Sequence, residues 1–139
     1  MADLTQNTQL VNVSNLADVR KEFLSGGALT AGMLVYLNAS NQWVAFDSDV
    51  GAGAGANVRD TRGVILHNAT ANQPAAVCVS DPNFGIGATL AANTVIYGSK
   101  NAGAVTQDVP GSANYPVIVG LPLSATRINL FPLASGIPI

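Results

Sequence analysis

The sequence has few of the residues on which most enzyme and metal sites depend. Its 139 residues include one cysteine, Cys78, one histidine, His67, and one glutamate, Glu22. A single cysteine excludes an intramolecular disulfide, and the apolar neighbours of Cys78 favour a buried thiol. Metal sites need clustered His, Cys or carboxylate ligands, which this spacing does not supply. We therefore expect no metal, no cofactor, no small-molecule substrate and no enzymatic activity.

Charged residues are also scarce, at 10% of the chain, whereas an ordinary soluble domain has about a quarter. The formal net charge is −2 and the six basic residues are dispersed, which excludes the basic footprint of a nucleic-acid binder. No apolar run approaches the roughly 20 residues of a membrane-spanning helix. The first residues lack the basic and apolar regions of a signal peptide. We expect synthesis in a cytoplasm, no nucleic-acid or membrane partner, and a neutral surface that packs against neighbouring subunits.

Two patterns match the letters of ligand-binding motifs without meeting their structural requirements. The run Gly51 to Ala56 fits a dinucleotide-binding fingerprint, but no helical apolar stripe follows it, as a βαβ unit requires. Asp47, Asp49 and Asp60 flank the same run, but a calcium loop needs alternating acids closed by a bidentate glutamate. We interpret this run as a loop that is solvated or contacts a neighbouring subunit.

The rest of the sequence consists of short apolar runs separated by turn residues. Short strands at close, regular spacing are typical of a β-sandwich or β-barrel. We therefore predict an all-β, single-domain fold whose β-barrel or sandwich-like core of short hairpins covers residues 27–131, followed by a tail over 132–139. Four hairpins are predicted: 33–37 with 43–46, 63–66 with 75–79, 94–97 with 104–106, and 117–121 with 127–131.

Residues 1–26 are more polar than the rest and predict an extended N-terminal arm. The segment 10–13 has the composition of a short strand. Leu16, Val19 and Phe23 then recur near helical spacing after a polar cap. We predict at most one short helix in the chain, located here.

Both ends of the chain have features by which β-domains join a lattice, namely extended segments and apolar anchors. Prolines in the tail forbid a helix there. The candidate contacts in the arm are Leu4, Leu10, Val11 and Val13. The candidate subunit contacts in the tail are Leu133, Ile137 and Ile139.

The two halves of the sequence resemble each other at an offset of about 60 residues. The run 27–32, followed by Val35 and Tyr36, corresponds to the run 87–92, followed by Ile96 and Tyr97. The strand-like segment 62–66 likewise resembles 119–123. These similarities predict an internal duplication in which two hairpin-rich halves close one β-core.

Three segments together resemble the head decoration proteins of bacteriophages, including the lambda type. In that family an Ala/Gly-rich phrase leads into a strand, as in 28–37 here. A hairpin with an aromatic residue, Val-Ala and an acid follows, matched by Trp43 and Asp47 in 41–47, and then a Gly-Val strand, matched by 62–66. The segment 115–128 is similar to the closing portion of many small phage structural proteins.

The resemblance covers residues 27–131 and implies a compact, β-tulip-type fold. It also implies a homotrimer on the exterior of the virion, bound to the major capsid protein and stabilising the expanded head, with the N-terminal arm as the capsid contact. Two alternatives stay open. One is another virion component, such as a head fibre base or tail module. The other is a carbohydrate-binding β-domain that uses the following aromatic residues as stacking platforms: Tyr36, Trp43, Tyr97 and Tyr115.

Overall fold

The computed structural model of the chain describes residues 3–46, 62–109 and 117–134, with side chains up to 132. The predicted loop from Gly51 to Ala56 lies outside these residues. The described residues contain one three-residue 3-10 turn, Thr8–Leu10, and no longer helix, so the all-β prediction is confirmed. The strands are β1 (Val11–Asn12), β2 (Asp18–Arg20), β3 (Leu24–Ser25), β4 (Leu34–Leu37), β5 (Gln42–Ala45), β6 (Arg62–Ile65), β7 (Val77–Ile86), β8 (Ile96–Gly98), β9 (Val105–Thr106), β10 (Val117–Pro122) and β11 (Arg127–Ala134).

The eleven strands form one sheet that is not closed. Its order is β3-β5-β4-β6-β7-β11-β10-β8-β9, and β1 and β2 pair with β7 outside this path. The four predicted hairpins are confirmed, because β4 pairs antiparallel with β5, β6 with β7, β8 with β9, and β10 with β11. These four hairpins are local in sequence, and the antiparallel pairing of β7 with β11 joins the two halves.

Apart from β3, which has no counterpart, the strand order is symmetric about the β7–β11 pair, as the predicted duplication requires. On one side the order outward is β7, β6, β4, β5, and on the other it is β11, β10, β8, β9, with the same connections along the chain. The register matches as well. Val35 of β4 pairs with Gly63 of β6, and Ile96 of β8 pairs with Gly120 of β10.

The hairpin turns of the two halves are also alike. The side chain of Asn38 accepts a hydrogen bond from the backbone N–H two residues later, and Ser99 accepts the equivalent bond in the second half. Asn41 and Gly103, each shortly before the returning strand, have positive φ angles of 58° and 77°. Both turns therefore use a residue that tolerates the left-handed region.

Strands β4, β6 and β7 are buried on both faces. One face contributes to the larger core cluster through Leu34, Val64 and Cys78. The other face contributes to a second cluster through Val35, Ile65 and Val77. Burial on both faces explains why these strands have continuous apolar sequences rather than an alternating pattern.

The helix predicted around Leu16, Val19 and Phe23 is wrong. Asp18–Arg20 instead forms strand β2, antiparallel to the start of β7, with Val19 opposite Cys78. Three apolar residues over about two turns cannot sustain a helix without tertiary packing, because helix nucleation is costly. Strand β7 offers this segment backbone partners along its edge, and that interaction prevails.

Trp43 lies in the second core cluster and is fully buried. Its indole Nε1 has no hydrogen-bond partner in the part of the chain that the structure describes. The ring therefore contributes through packing, while its N–H opposes folding.

We expect Trp43→Ala to lower the free energy of unfolding by about 3–5 kcal/mol, because it removes a buried aromatic ring and leaves a cavity. Trp43→Phe should cost clearly less, since it keeps a ring and removes the unpaired N–H. Urea denaturation measures both, with Leu24→Ala at a half-exposed position as the control. A loss in Trp43→Ala no larger than that of the control would contradict the packing role.

A second prediction concerns Gly63 and Gly120, which occupy equivalent positions in the two halves of the sheet. A Cβ at Gly63 would overlap the carbonyl oxygen of Cys78, and a Cβ at Gly120 would overlap that of Asn129. We expect alanine at either position to lower the free energy of unfolding by about 1–3 kcal/mol. Gly27→Ala is the matched control, because its Cβ would meet nothing within 4 Å. Equal stability of all three variants in thermal denaturation would contradict the lack of space for a Cβ at Gly63 and Gly120.

Candidate functional site

A cavity of about 460 Å³ lies where the N-terminal segment meets the end of β7 and the start of β11. Five residues between Thr5 and Asn12 form one wall of the cavity, four residues between Gly85 and Thr89 form a second, and Thr126 and Arg127 complete it. Its walls thus come from three distant parts of the sequence, which the sheet brings together.

Two glycines of the second wall make this close approach possible. A Cβ at Gly85 would lie 2.7 Å from Asn12 Nδ2 and 2.8 Å from Arg127 Nη1. Gly87 has a φ of +80°, and a Cβ there would lie 2.6 Å from the carbonyl oxygen of Asn7. The N–H of Asn7 donates to Gly87 O at 2.6 Å, so the backbones are in direct contact. A larger residue at Gly87 would therefore push the backbone of the N-terminal segment away, whereas one at Gly85 would displace the side chains of Asn12 and Arg127.

Arg127 is held in a fixed orientation beside the cavity by neutral oxygen atoms. Its Nε donates to Asn83 Oδ1 at 3.1 Å, its Nη2 donates to Asn83 O, and its Nη1 donates to Asn12 Oδ1. No carboxylate among the described residues forms a salt bridge with it. The guanidinium is therefore positioned without being neutralised.

Asp81 attaches the N-terminal segment to the middle of β7. Its buried carboxylate accepts hydrogen bonds from Ser14 N at 2.7 Å, from Ser14 Oγ and from Asn83 N at 2.9 Å. Burial alone would raise the pKa of Asp81, but the hydrogen bonds from Ser14 and Asn83, with the charge of Arg127, hold the pKa below its usual value. The ionised form is thus the one that the folded state stabilises.

The four candidate capsid contacts do not share one environment. Leu4 and Val11 are half-buried and pack against the chain's own core. Leu10 and Val13 are 58% and 39% exposed and remain available to a partner. Leu16, assigned above to a helix, is 71% exposed and belongs with them. We call Leu10, Val13 and Leu16 the N-terminal apolar group.

The candidate subunit contacts of the tail fall largely outside the described residues, where Ile137 and Ile139 lie. Leu133 belongs to β11, and its backbone pairs with Ile118 of β10. Two further exposed apolar residues, Leu121 and Leu123, were not singled out in the sequence because they continue a strand-like run. They lie at the end of β10 and in the turn after it.

Both end strands of the sheet are covered by other parts of the chain. Leu4 N donates to Val105 O of β9 at 2.8 Å, and Asp3 forms a bridge with Thr106. At the opposite end, Ser25 N of β3 donates to Gln73 O at 2.8 Å. A partner would therefore have to displace these contacts to add a strand at either end, so side chains are the more accessible means of binding.

The residues with catalytic potential have structural partners. His67 lies in the β6–β7 turn, where Nε2 accepts from Ala76 N at 3.0 Å and Nδ1 lies 3.0 Å from Asn68 O. Burial, with a contribution from the charge of Asp81, raises the pKa of the Cys78 thiol to about 12, which leaves it unreactive at neutral pH. The described residues contain no group of three or more His, Cys, Asp or Glu side chains that could hold a metal ion.

The aromatic residues considered for carbohydrate stacking are poorly placed for it. Trp43 is inaccessible, and Tyr36 and Tyr97 are half-buried, with Tyr36 packed against the core. Tyr115 lies outside the described residues. A surface platform built around Trp43 is therefore excluded by its burial.

Comparisons with known proteins give no family assignment. A scan against protein-family models finds no match to this chain, and a search of curated proteins also finds none. Within the residues that the structure describes, no helix has the length and apolar character needed to cross a membrane.

We expect Asp81→Asn to lower the free energy of unfolding by about 1–3 kcal/mol at neutral pH, because it disrupts bonds to a buried acceptor. Since the pKa of Asp81 is lowered on folding, its contribution is complete above about pH 4 and is lost as the pH falls through that lowered pKa. The difference between wild type and Asp81→Asn should therefore shrink in acid.

Urea denaturation from pH 7 to pH 2 tests this pH dependence. Asp18→Asn is the matched control, because Asp18 is exposed and forms only a surface ion pair with Arg20. It should cost much less than Asp81→Asn at neutral pH. A constant difference between wild type and Asp81→Asn over the whole range would contradict the assigned role.

Proposed function

We propose that this chain is a decoration protein that binds the exterior of a bacteriophage capsid as a homotrimer and stabilises the expanded head. The observation that carries the proposal is the N-terminal apolar group, whose side chains point into solvent from a segment with a fixed backbone. The resemblance of segments 28–37, 41–47 and 62–66 to head decoration proteins supports the same function. The major capsid protein is the proposed partner.

The N-terminal apolar group is attached to the sheet on both sides of each exposed residue. Asn7 bonds to Gly87, β1 pairs with the end of β7, Ser14 bonds to Asp81, and β2 pairs with the start of β7. A partner that covers this group does not have to order the backbone, which reduces the entropic cost of association. Exposed apolar side chains on an ordered segment are the usual anchors of a protein interface.

The low charge of the chain fits a subunit that is covered by neighbours over much of its surface. Stable interfaces bury roughly 1,200–2,000 Å² and lack charged residues at their centre. A trimer that bridges several capsid subunits adds such an area at each seam, and repetition over the shell makes modest contacts collectively large. Shape and apolar contacts suffice for this role, without catalysis.

The number of copies per particle tests the proposal directly. We expect hundreds of copies in purified virus particles, near parity with the major capsid protein, by quantitative mass spectrometry. A few to a few dozen copies would instead indicate a head fibre base or tail module. Absence from particles would reject the virion function altogether.

Substitutions in the N-terminal apolar group test where the contact lies. We expect Leu10→Ser and Leu16→Ser to reduce the occupancy of capsids in a rebinding assay while the melting temperature stays near that of wild type, because both side chains are exposed. Leu123→Ser, at an exposed position in the β10–β11 turn, is the matched control. Unchanged occupancy in both N-terminal variants would contradict the assignment. Point substitutions are preferable to deletion, which would also remove β1 and the Ser14–Asp81 bonds.

A further inference from the structure

We propose that the cavity beside Arg127 binds the carboxylate of an aspartate or glutamate side chain of a protein partner, with Arg127 as the residue that pairs with it. The choice of a protein as the source rests on the proposed function. The choice of a carboxylate rests on the cavity alone.

The cavity is a local positive site in a chain of negative net charge. Among the described residues that line it, Arg127 is the only charged one, and the other polar side chains are amides or hydroxyls. The carboxylate of Asp81 interacts electrostatically with Arg127 but accepts its hydrogen bonds from Ser14 and Asn83, so it occupies none of the donors of Arg127. The cavity therefore favours an anion.

The guanidinium of Arg127 retains the donors that a carboxylate needs. A guanidinium has five N–H donors in a fixed planar fork. Three are used by Asn12 and Asn83, one from each nitrogen, which leaves one on each terminal nitrogen. A guanidinium that keeps one N–H on each terminal nitrogen can donate to both oxygens of a carboxylate. By contrast, Arg20 is near two carboxylates, Asp18 and Glu22.

The site is also formed in advance of binding. Gly85 leaves the space in which Asn12 and Arg127 approach each other, and Gly87 permits the contact with Asn7 that holds the opposite wall. Because the guanidinium is already oriented, little side-chain entropy is lost when a carboxylate binds.

Leu10 indicates a protein rather than a free organic acid. It lines the cavity and is 58% exposed, so a ligand that reaches Arg127 also covers an apolar side chain. One partly exposed ion pair contributes little by itself. An acidic side chain carried on an apolar surface gains both the ion pair with Arg127 and the apolar contact with Leu10. A small acid gains only the ion pair.

The test is a titration of the full-length, ¹⁵N-labelled protein followed by NMR. The two probes are N-acetyl-aspartate and a blocked peptide with a glutamate between leucines. We expect saturable shifts at Arg127 Nε and at the amides of Gly85 and Gly87, with the peptide binding more tightly. Binding of the peptide should weaken about tenfold or more in Arg127→Gln, and to a smaller extent in Arg127→Lys, which keeps the charge but not the fork.

Arg20→Gln is the charge-matched control and should bind like wild type. No saturable shift in wild type, equal binding by Arg127→Gln, or an equal loss in Arg20→Gln would overturn the site. Equal affinity for N-acetyl-aspartate and the peptide would overturn the protein as the source. A dispersed amide spectrum of each variant verifies that it is folded, and Arg127→Lys provides the comparison if Arg127→Gln unfolds. Copy number in particles is measured separately, so failure of the proposed function is distinguishable from failure of this site.

Discussion

Strand β7 has ten residues, and the backbone groups along both of its edges require hydrogen-bonding partners. The fold follows from which strands supply these partners. Its first residues pair with β6 and β2, and its last with β11 and β1. The partners change in the middle of the strand. The register with β2 shifts between Cys78 and Ser80, the register with β11 shifts between Asp81 and Phe84, and Pro82 cannot donate to the ladder. The buried carboxylate of Asp81 bonds to Ser14 at this point, so the irregular middle of β7 is also attached to the N-terminal segment.

The N-terminal segment consequently has two roles that depend on each other. Its backbone completes the edge of β7, and this pairing leaves Leu10 and Leu16 directed to solvent. The same pairing brings Asn12 to Arg127 across Gly85 and so forms the cavity. A change that weakens the sheet here is therefore expected to weaken the proposed binding as well. For this reason, exposed point substitutions separate the two effects better than truncation does.

Much of the sheet could be predicted because its hairpins are local in sequence. Turn residues such as Asn41 and Gly103 mark the ends of neighbouring strands, and the similarity between Gly63 and Gly120 indicates the duplication. The site could not be predicted in this way. Asn12 and Arg127 are 115 residues apart, and no local pattern relates them. The prediction of a helix around Leu16 was wrong for the same reason. The spacing of apolar residues in this segment carries no information about the edge of β7, which is distant in sequence.

The duplication also shows that the proposed site depends on the part of the chain that is not repeated. The two halves give β7 and β11 equivalent places in the strand order, and β11 finds its partners in β10 and β7. The N-terminal segment occurs once, and β1 and β2 both pair with β7. It therefore breaks the symmetry of the sheet, and the apolar group, Asp81 and the cavity all lie along the strand that it covers. The two similar halves thus supply the scaffold, while the N-terminal segment, which has no counterpart, supplies the surface at which we propose that a partner binds.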